Sequence, residues 1–263
     1  MIVSRQNRWI KDIRRLRRSK ADRALLEGPH LVKAAIDAGI ALEVVLATPE
    51  FAARPEAAGL MASLDSPAES IRADVLDSVA DSDSPRGILA IARLARCGVE
   101  ALPVRDHGVY LYADGVQEPG NLGALSRVAE AAGTVALALA PNSAHPNHPR
   151  ALRASAGSLL RLPVARDVTT EQLEEHLAAD PPTWLALSPR GGETLYQATL
   201  PTGAIVLMVG AEGPGLGTGA LGHAERRLTL PMQSPVESLN VTVAAALALF
   251  EIARRRAESS GET

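Results

Sequence analysis

The sequence predicts an α/β protein with a smaller N-terminal α/β domain and a larger C-terminal domain built on a mostly parallel sheet. In the second half, apolar strand patterns alternate with helical patterns, which is typical of a parallel sheet with helices on both faces. Aromatic residues make up only 3% of the chain, which suits closely packed layers of helix on sheet. At 263 residues, the chain is long enough for each domain to bury a core.

The N-terminal half reads as a compact unit over residues 26–94. Its predicted strands are 41–47 and 87–94, and its predicted helices are 28–38 and 72–79. Residues 96–105 show no clear period and are the candidate linker. We therefore divide the chain into a domain at 1–98, a linker at 99–105 and a domain at 106–263.

The C-terminal half has five apolar runs with the length of buried strands. A helix is expected between the first two runs, capped by Asn121 and closed by Gly133. Another helix is expected from Val241 to Ile252. The predicted strands are 109–114, 134–140, 183–188, 204–209 and 227–230.

Positive charge is concentrated at the N-terminus. The whole chain has a net charge of −3, whereas residues 1–23 carry +7 and the remainder −10. Trp9, Ile10, Ile13 and Leu16 follow a helical pattern, so one face can pack while the basic face stays exposed. This face could be only a solvated surface, or it could contact nucleic-acid phosphates. The candidate contacts are Arg14, Arg15, Arg17 and Arg18.

Several function classes are not indicated. A single cysteine, Cys97, excludes an internal disulfide and favours a reducing compartment. The basic N-terminus precedes no apolar signal segment, and no apolar run could span a bilayer, so we expect a cytoplasmic protein. His145 and His148 are too close together for a usual zinc pair, and we expect a surface loop there and no metal. The Gly217–Gly222 run fits G-x-G-x-x-G, but no strand immediately precedes it.

Three segments share one pattern, in which polar residues separate an extended run from a helix. Asn121 and Arg127 follow the 109–114 run, and Glu212 is the only charge in the glycine-rich turn after the 204–209 run. The third segment changes from a Pro-containing loop to a helix near Ser238 and Asn240. Such junctions offer free backbone N–H groups and short polar side chains to a ligand.

These segments resemble the three signature motifs of the SpoU family of RNA ribose 2′-O-methyltransferases in the SPOUT superfamily. The matches are Asn121-x-Gly-x-x-x-Arg127, Gly210-x-Glu212-Gly, and Pro231-Met followed by Ser238-Leu-Asn-Val. Their order and spacing fit, and the resemblance covers about residues 106–256. One departure is Ser234, which stands where the third motif usually has glycine.

The resemblance implies a fold, a cofactor and an assembly. The fold is an α/β knot, in which the last helix is threaded through a loop to make a deep trefoil knot. S-adenosylmethionine is the cofactor, no metal is needed, and the enzyme is a homodimer. The expected cofactor contacts are Gly210, Glu212, Leu230, Met232 and Leu239.

The resemblance also implies roles for polar residues. Arg127 would lie beside the target phosphate and ribose 2′-hydroxyl. Because arginine normally stays protonated, acting as a base would require a strong local perturbation. Positioning the hydroxyl and stabilising the developing alkoxide require none. Asn121, Ser238 and Asn240 would orient ribose, phosphate and the methionine end of the cofactor. Glu212 would brace the loop or pair with Arg127.

The N-terminal domain resembles the ribosomal-protein-like RNA-binding domain that some family members carry. The resemblance begins at Leu25-Leu-Glu-Gly-Pro-His-Leu-Val, where Gly28 either opens a helix near RNA or is an ordinary loop glycine. The added domain favours ribosomal RNA of the large subunit as the substrate. Transfer RNA is the first alternative, and a non-catalytic RNA-binding or assembly factor is the second.

Overall fold

The computed structural model describes residues 1–16, 22–82, 84–94 and 98–260. Arg17, Arg18 and Cys97 lie outside these described residues. The helices are α1 (Arg8–Leu16), α2 (Pro29–Asp37), α3 (Pro49–Ala52), α4 (Ala58–Ala62), α5 (Ala73–Asp77), α6 (Pro119–Ala131), α7 (Pro149–Ser155), α8 (Ser158–Arg161), α9 (Thr170–His176), α10 (Thr218–His223) and α11 (Val241–Ser260). The strands are β1 (Arg23–Glu27), β2 (Leu42–Ala47), β3 (Glu69–Ser70), β4 (Ile88–Arg93), β5 (Val109–Asp114), β6 (Ala136–Leu139), β7 (Val164–Ala165), β8 (Thr183–Leu187), β9 (Glu193–Thr194), β10 (Ile205–Gly210) and β11 (Arg226–Thr229).

The chain forms two compact units. The first unit comprises Met1–Arg96 and His145–Arg161, and the second comprises Cys97–Ala144 and Leu162–Thr263. The boundary after Arg96 lies next to the linker that the sequence suggested. The structure differs from a simple linear division in one respect, because His145–Arg161 groups with the first unit.

The first unit contains a four-stranded sheet in the order β1-β4-β2-β3. Strand β4 pairs antiparallel with both β1 and β2, whereas β2 and β3 are parallel. Ile10 and Ile13 of α1 are fully buried in the core of this unit, as the helical pattern predicted. The predicted strands at 41–47 and 87–94 and helices at 28–38 and 72–79 are confirmed. Strand β1 was not predicted, because a five-residue run with charged ends has no decisive period.

The second unit is built on a seven-stranded sheet in the order β7-β6-β5-β10-β8-β11-β9. Every adjacent pair in it is parallel, as predicted. All five predicted strands are present with ends shifted by at most two residues. Strands β7 and β9 were missed, because two-residue strands leave no periodic signal. The carboxyl ends of parallel strands share one edge, so the loops after β5, β8, β10 and β11 meet there.

Two local expectations were wrong. Helix α6 begins two residues before Asn121, because Pro119 starts the helix and Glu118 caps it by accepting a hydrogen bond from the Gly120 amide at 3.4 Å. His145 is buried and not part of a surface loop, and its Nδ1 accepts from the Asn147 amide at 3.0 Å. Among the described residues, no helix is long and apolar enough to cross a membrane.

Tyr112 gives a test of the core of the second unit. Its side chain is buried in β5, and its hydroxyl donates to the Val168 carbonyl at 3.1 Å. Burial raises the pKa of Tyr112 to about 12, so the unfolded chain releases this proton at lower pH than the folded chain. The contribution of Tyr112 to the free energy of unfolding should be constant below about pH 10 and fall between about pH 10 and 12. The total decrease from this group should be up to about 2–3 kcal/mol.

Urea unfolding as a function of pH would measure this effect. In Tyr112→Phe the alkaline decrease should be smaller, although Tyr110 contributes in the same direction because burial raises its pKa as well. An identical alkaline decrease in the wild type and in Tyr112→Phe would contradict the assignment.

Candidate active site at the carboxyl edge of the sheet

A cavity of about 360 Å³ opens in the second unit at the carboxyl edge of the parallel sheet. Its walls are the segments that follow β8, β10 and β11, together with the start of α11. The described lining includes every residue predicted to contact the cofactor: Gly210, Glu212, Leu230, Met232 and Leu239. Ser238 and Asn240 also line it. The structure therefore brings parts of the second and third motifs into one cavity.

The glycine-rich turn after β10 folds back closely on itself. A Cβ atom on Gly210 would lie 2.1 Å from the carbonyl carbon of Gly215 and 2.2 Å from the Leu216 nitrogen, so only glycine fits. Gly213 and Gly215 have φ angles of 87° and 76°, which L side chains rarely adopt. The Gly215 amide donates to the Ala211 carbonyl at 2.9 Å and closes the turn. Backbone therefore forms much of this cavity wall.

Asp114, at the end of β5, holds the far end of this turn. Its Oδ2 atom accepts a hydrogen bond from the Gly217 amide at 2.7 Å. Asp114 is not among the residues that the sequence motifs mark. Its position at the end of an apolar strand next to a glycine was a signal that could have identified it. Ser188 and Pro189 also line the cavity, but no sequence pattern marks them.

A cluster of two amides and one carboxylate joins all three motifs. Glu212 Oε1 accepts from Asn121 Nδ2 at 2.7 Å and from Asn240 Nδ2 at 2.8 Å. Asn240 Nδ2 also lies 3.0 Å from Asn121 Oδ1, to which it donates. The Asn240 Oδ1 atom accepts from the Thr242 amide at 2.9 Å in the first turn of α11. Asn240 is thus the residue whose side chain caps a helix here.

This cluster decides between the two roles considered for Glu212. Its carboxylate braces the junction of the motifs through Asn121 and Asn240. Among the described residues, Arg127 has neither an ion pair nor a hydrogen bond through its guanidinium. Arg127 lies six residues after Asn121 on α6 and is exposed, about 9 Å further along the helix axis. Helix α6 therefore contributes Asn121 to the cluster and, further along, an exposed cation.

Fold and site together define a class of protein: a parallel α/β domain with a cofactor-sized cavity at the carboxyl edge and an adjoining amide–carboxylate cluster, whose helix α6 also carries an exposed arginine. Comparison with known families agrees with this class. The SpoU rRNA Methylase family matches residues 108–250, and the MRM3-like substrate binding domain matches residues 7–90. This chain belongs to the SpoU rRNA methylase family.

Individual relatives match between 71% and 97% of the chain. The chain is 28% identical over 256 residues to the 23S rRNA (guanosine(2553)-2′-O)-methyltransferase RlmP of Bacillus subtilis, covering 95% of this chain and 98% of the relative. It is 31% identical over 192 residues to the 23S rRNA (guanosine-2′-O-)-methyltransferase RlmB of Haemophilus influenzae, covering 71% and 78%. The AdoMet-bound rRNA methyltransferase of Sinorhizobium meliloti superposes with a TM-score of 0.83 at 26% identity, covering 97% of each chain.

The close approach at Gly210 leads to a prediction about cofactor affinity. Gly210→Ala should displace the 210–217 turn and weaken S-adenosylmethionine binding by about tenfold or more, because overpacking typically costs about 1–3 kcal/mol. Titration calorimetry with the cofactor would measure the change.

Gly219→Ala is the matched control. A Cβ atom there meets nothing within 4 Å, so this variant should bind the cofactor like the wild type. Equal affinities for the two variants would show that the tight turn does not shape the cofactor site.

Proposed function

We propose that this protein transfers the methyl group of S-adenosylmethionine to a ribose 2′-hydroxyl of large-subunit ribosomal RNA. The observation that carries the proposal is the convergence of Asn121, Glu212 and Asn240 beside the cavity at the carboxyl edge. The two named relatives from B. subtilis and H. influenzae, which act on 23S ribosomal RNA at ribose 2′-oxygens, support the substrate class. Because the proposed substrate is ribosomal RNA, we also propose a cytoplasmic location.

The cavity has the chemistry that S-adenosylmethionine requires. Leu230 and Leu239 offer apolar surface for the adenine ring, and Gly210 contributes backbone to the cavity lining. Met232 and Glu212 lie on the same wall, and Ser238 contributes a hydroxyl. The bound cofactor supplies an electrophilic methyl group on its sulfonium sulfur. Methyl transfer of this kind needs no metal ion.

Arg127 is the residue that we assign to the reacting hydroxyl. A ribose hydroxyl is a poor nucleophile, so the reaction needs correct placement and stabilisation of the alkoxide that develops. A guanidinium offers a fixed fork of N–H donors to a phosphate and to that oxygen. Asn121 and Asn240 are pre-oriented by Glu212, so they can hold the ribose and phosphate without reorganising.

The first unit is proposed to bind the RNA. In α1, Ile10 and Ile13 are buried, whereas Arg14 and Arg15 are exposed. We include Arg17 and Arg18, which continue this basic stretch, among the RNA contacts. Arginine suits phosphate groups because it can donate two parallel hydrogen bonds.

A homodimer is proposed from the surface of α11. Val243, Leu247 and Phe250 are 48%, 40% and 50% exposed, and their spacing places them on one face of the helix. An apolar stripe of this kind beside an active site suits burial against a second copy of the chain. We also propose that α11 is the helix threaded through the trefoil knot, and its packing against α6, β8 and β10 supports this.

The reaction can be tested with methyl-labelled S-adenosylmethionine and, separately, large-subunit ribosomal RNA and transfer RNA. A 2′-O-methyl group protects the next phosphodiester from alkali, so label should appear in an alkali-resistant dinucleotide from ribosomal RNA. Label only in transfer RNA would replace the proposed substrate. If the protein bound the cofactor but transferred label neither to naked RNA nor to ribosomal subunits isolated before modification, a non-catalytic RNA-binding protein would be favoured.

Substitution of Arg127 separates chemistry from cofactor binding. Arg127→Ala should lower the transfer rate by about 10²–10³-fold, which is the usual effect of removing one donor to a developing oxyanion. Its affinity for S-adenosylmethionine should stay unchanged, since Arg127 does not line the described cavity. Single-turnover transfer and calorimetry measure the two quantities. Arg127→Lys, which keeps only the charge, should recover a minor part of the rate.

The dimer has its own test. Leu247→Asp with Phe250→Asp should place two carboxylates in the proposed interface and give a monomer in sedimentation velocity at micromolar concentration. Val104→Asp is the control, because Val104 is also exposed but lies outside α11. A wild-type protein that sediments as a monomer would refute the dimer directly.

A further inference from the structure

The crossover segment, residues 145–161, belongs to one domain by sequence and to the other by structure. In the chain it connects β6 to β7, which are neighbouring parallel strands of the second unit. It also lies inside residues 108–250, which match the SpoU rRNA Methylase family, and outside residues 7–90, which match the substrate-binding domain. Its contacts nevertheless group it with the first unit. The first unit therefore includes a segment that follows part of the second unit in the sequence.

An ion-pair cluster with little solvent exposure anchors the crossover segment within the first unit. Arg153 Nη1 of α7 lies 2.6 Å from Asp81 Oδ2 and 3.9 Å from Glu27 Oε2. The Glu27 side chain is only 5% exposed, and its carboxylate accepts from the amides of Asp81 and Ser82 at 2.8 and 3.1 Å. Arg153 therefore lies between two carboxylates, one of which is itself held by two backbone amides.

Close packing adds to this anchor. Ala151 and Leu152 of α7 are fully buried. Gly157 has a φ of 92°, and a Cβ atom built on it would lie 2.8 Å from the Cβ of Ala34 in α2. The crossover segment thus fits α2 and β1 closely enough to require glycine at one position. Such a fit is expected of an integral part of the first unit.

The crossover segment is also basic. It contains Arg150, Arg153 and Arg161 with two histidines, and it has no aspartate or glutamate, in a chain whose net charge is −3. Arg150 and Arg161 are exposed, whereas Arg153 is directed to the anchor. Helices α7 and α1 both lie against β1, which is an edge strand of the first sheet. The two basic helices, α1 and α7, therefore pack against the same strand.

We propose that the crossover segment forms part of the RNA-binding surface of the first unit, with Arg150 and Arg161 contacting backbone phosphates and Arg153 positioning them. This inference rests on the proposed function, and it adds a surface that the substrate-binding match at 7–90 does not include. The partner of this surface is the phosphate backbone of RNA. The segment contains arginines and no aspartate or glutamate that would repel phosphate groups.

The test compares three double variants of the full-length protein in RNA binding over a range of salt concentrations. Arg150→Gln with Arg161→Gln examines the crossover segment, and Arg14→Gln with Arg15→Gln examines α1. Lys33→Gln with Arg54→Gln is the matched control, since it removes two exposed positive charges from the same unit elsewhere. Thermal unfolding and calorimetry with S-adenosylmethionine would verify that each variant is folded.

The expected result is a change in the salt dependence. The crossover variant should bind large-subunit RNA about tenfold more weakly at 0.1 M salt, and its log–log salt slope should become shallower by about 1.4, the sum for two single-stranded phosphate contacts. The α1 variant should change in the same way, and the control should match the wild type.

Other results would overturn specific parts. A crossover variant that matches the control, while the α1 variant becomes shallower, would refute this inference and leave the proposed function intact. If none of the variants changed the slope, although the wild type binds RNA and transfers methyl groups, RNA binding by the first unit would itself be refuted. If the wild type transferred no label to any RNA, the proposed function would fail independently.

Discussion

The site depends on one carboxylate that accepts hydrogen bonds from two amides. Glu212 holds Asn121 and Asn240 by contacts of 2.7 and 2.8 Å, although these residues are 91 and 28 positions away in the chain. An ionised carboxylate can only accept and an amide nitrogen can only donate, so the three side chains have one mutual arrangement. This fixes the start of α6, the turn after β10 and the start of α11 relative to one another.

The parallel sheet makes this contact possible. All of its strands end at one edge, so the turn after β10 and the segments after β8 and β11 meet without long loops. Glycines in the turn remove side chains where two stretches of backbone come close together, at Gly210 above all. The result is a cavity of about 360 Å³ lined by both apolar and polar residues. Helix α6, which bonds to the lining residues Glu212 and Asn240 through Asn121, carries an exposed arginine.

A second constraint concerns the first unit. Its edge strand β1 supports α1 from the N-terminus and α7 from the middle of the chain. The Arg153–Asp81 contact of 2.6 Å joins residues 72 positions apart, and it would leave a poorly solvated charge if either partner were removed. A unit assembled in this way does not correspond to a continuous stretch of sequence. The segment between β6 and β7 lies within the residues that match the methylase family, but its contacts group it with the first unit.

The sequence by itself determined the α/β class, the long strands, the family and those cavity-lining residues that the motifs mark. These features depend on local periodicity and on motifs within short windows. Only the tertiary structure decided that Glu212 pairs with amides and not with Arg127, that Asp114 holds the glycine-rich turn, and that residues 145–161 complete the first unit. Each of these is a contact between residues far apart in the chain, and no pattern along one sequence specifies which distant partners will meet.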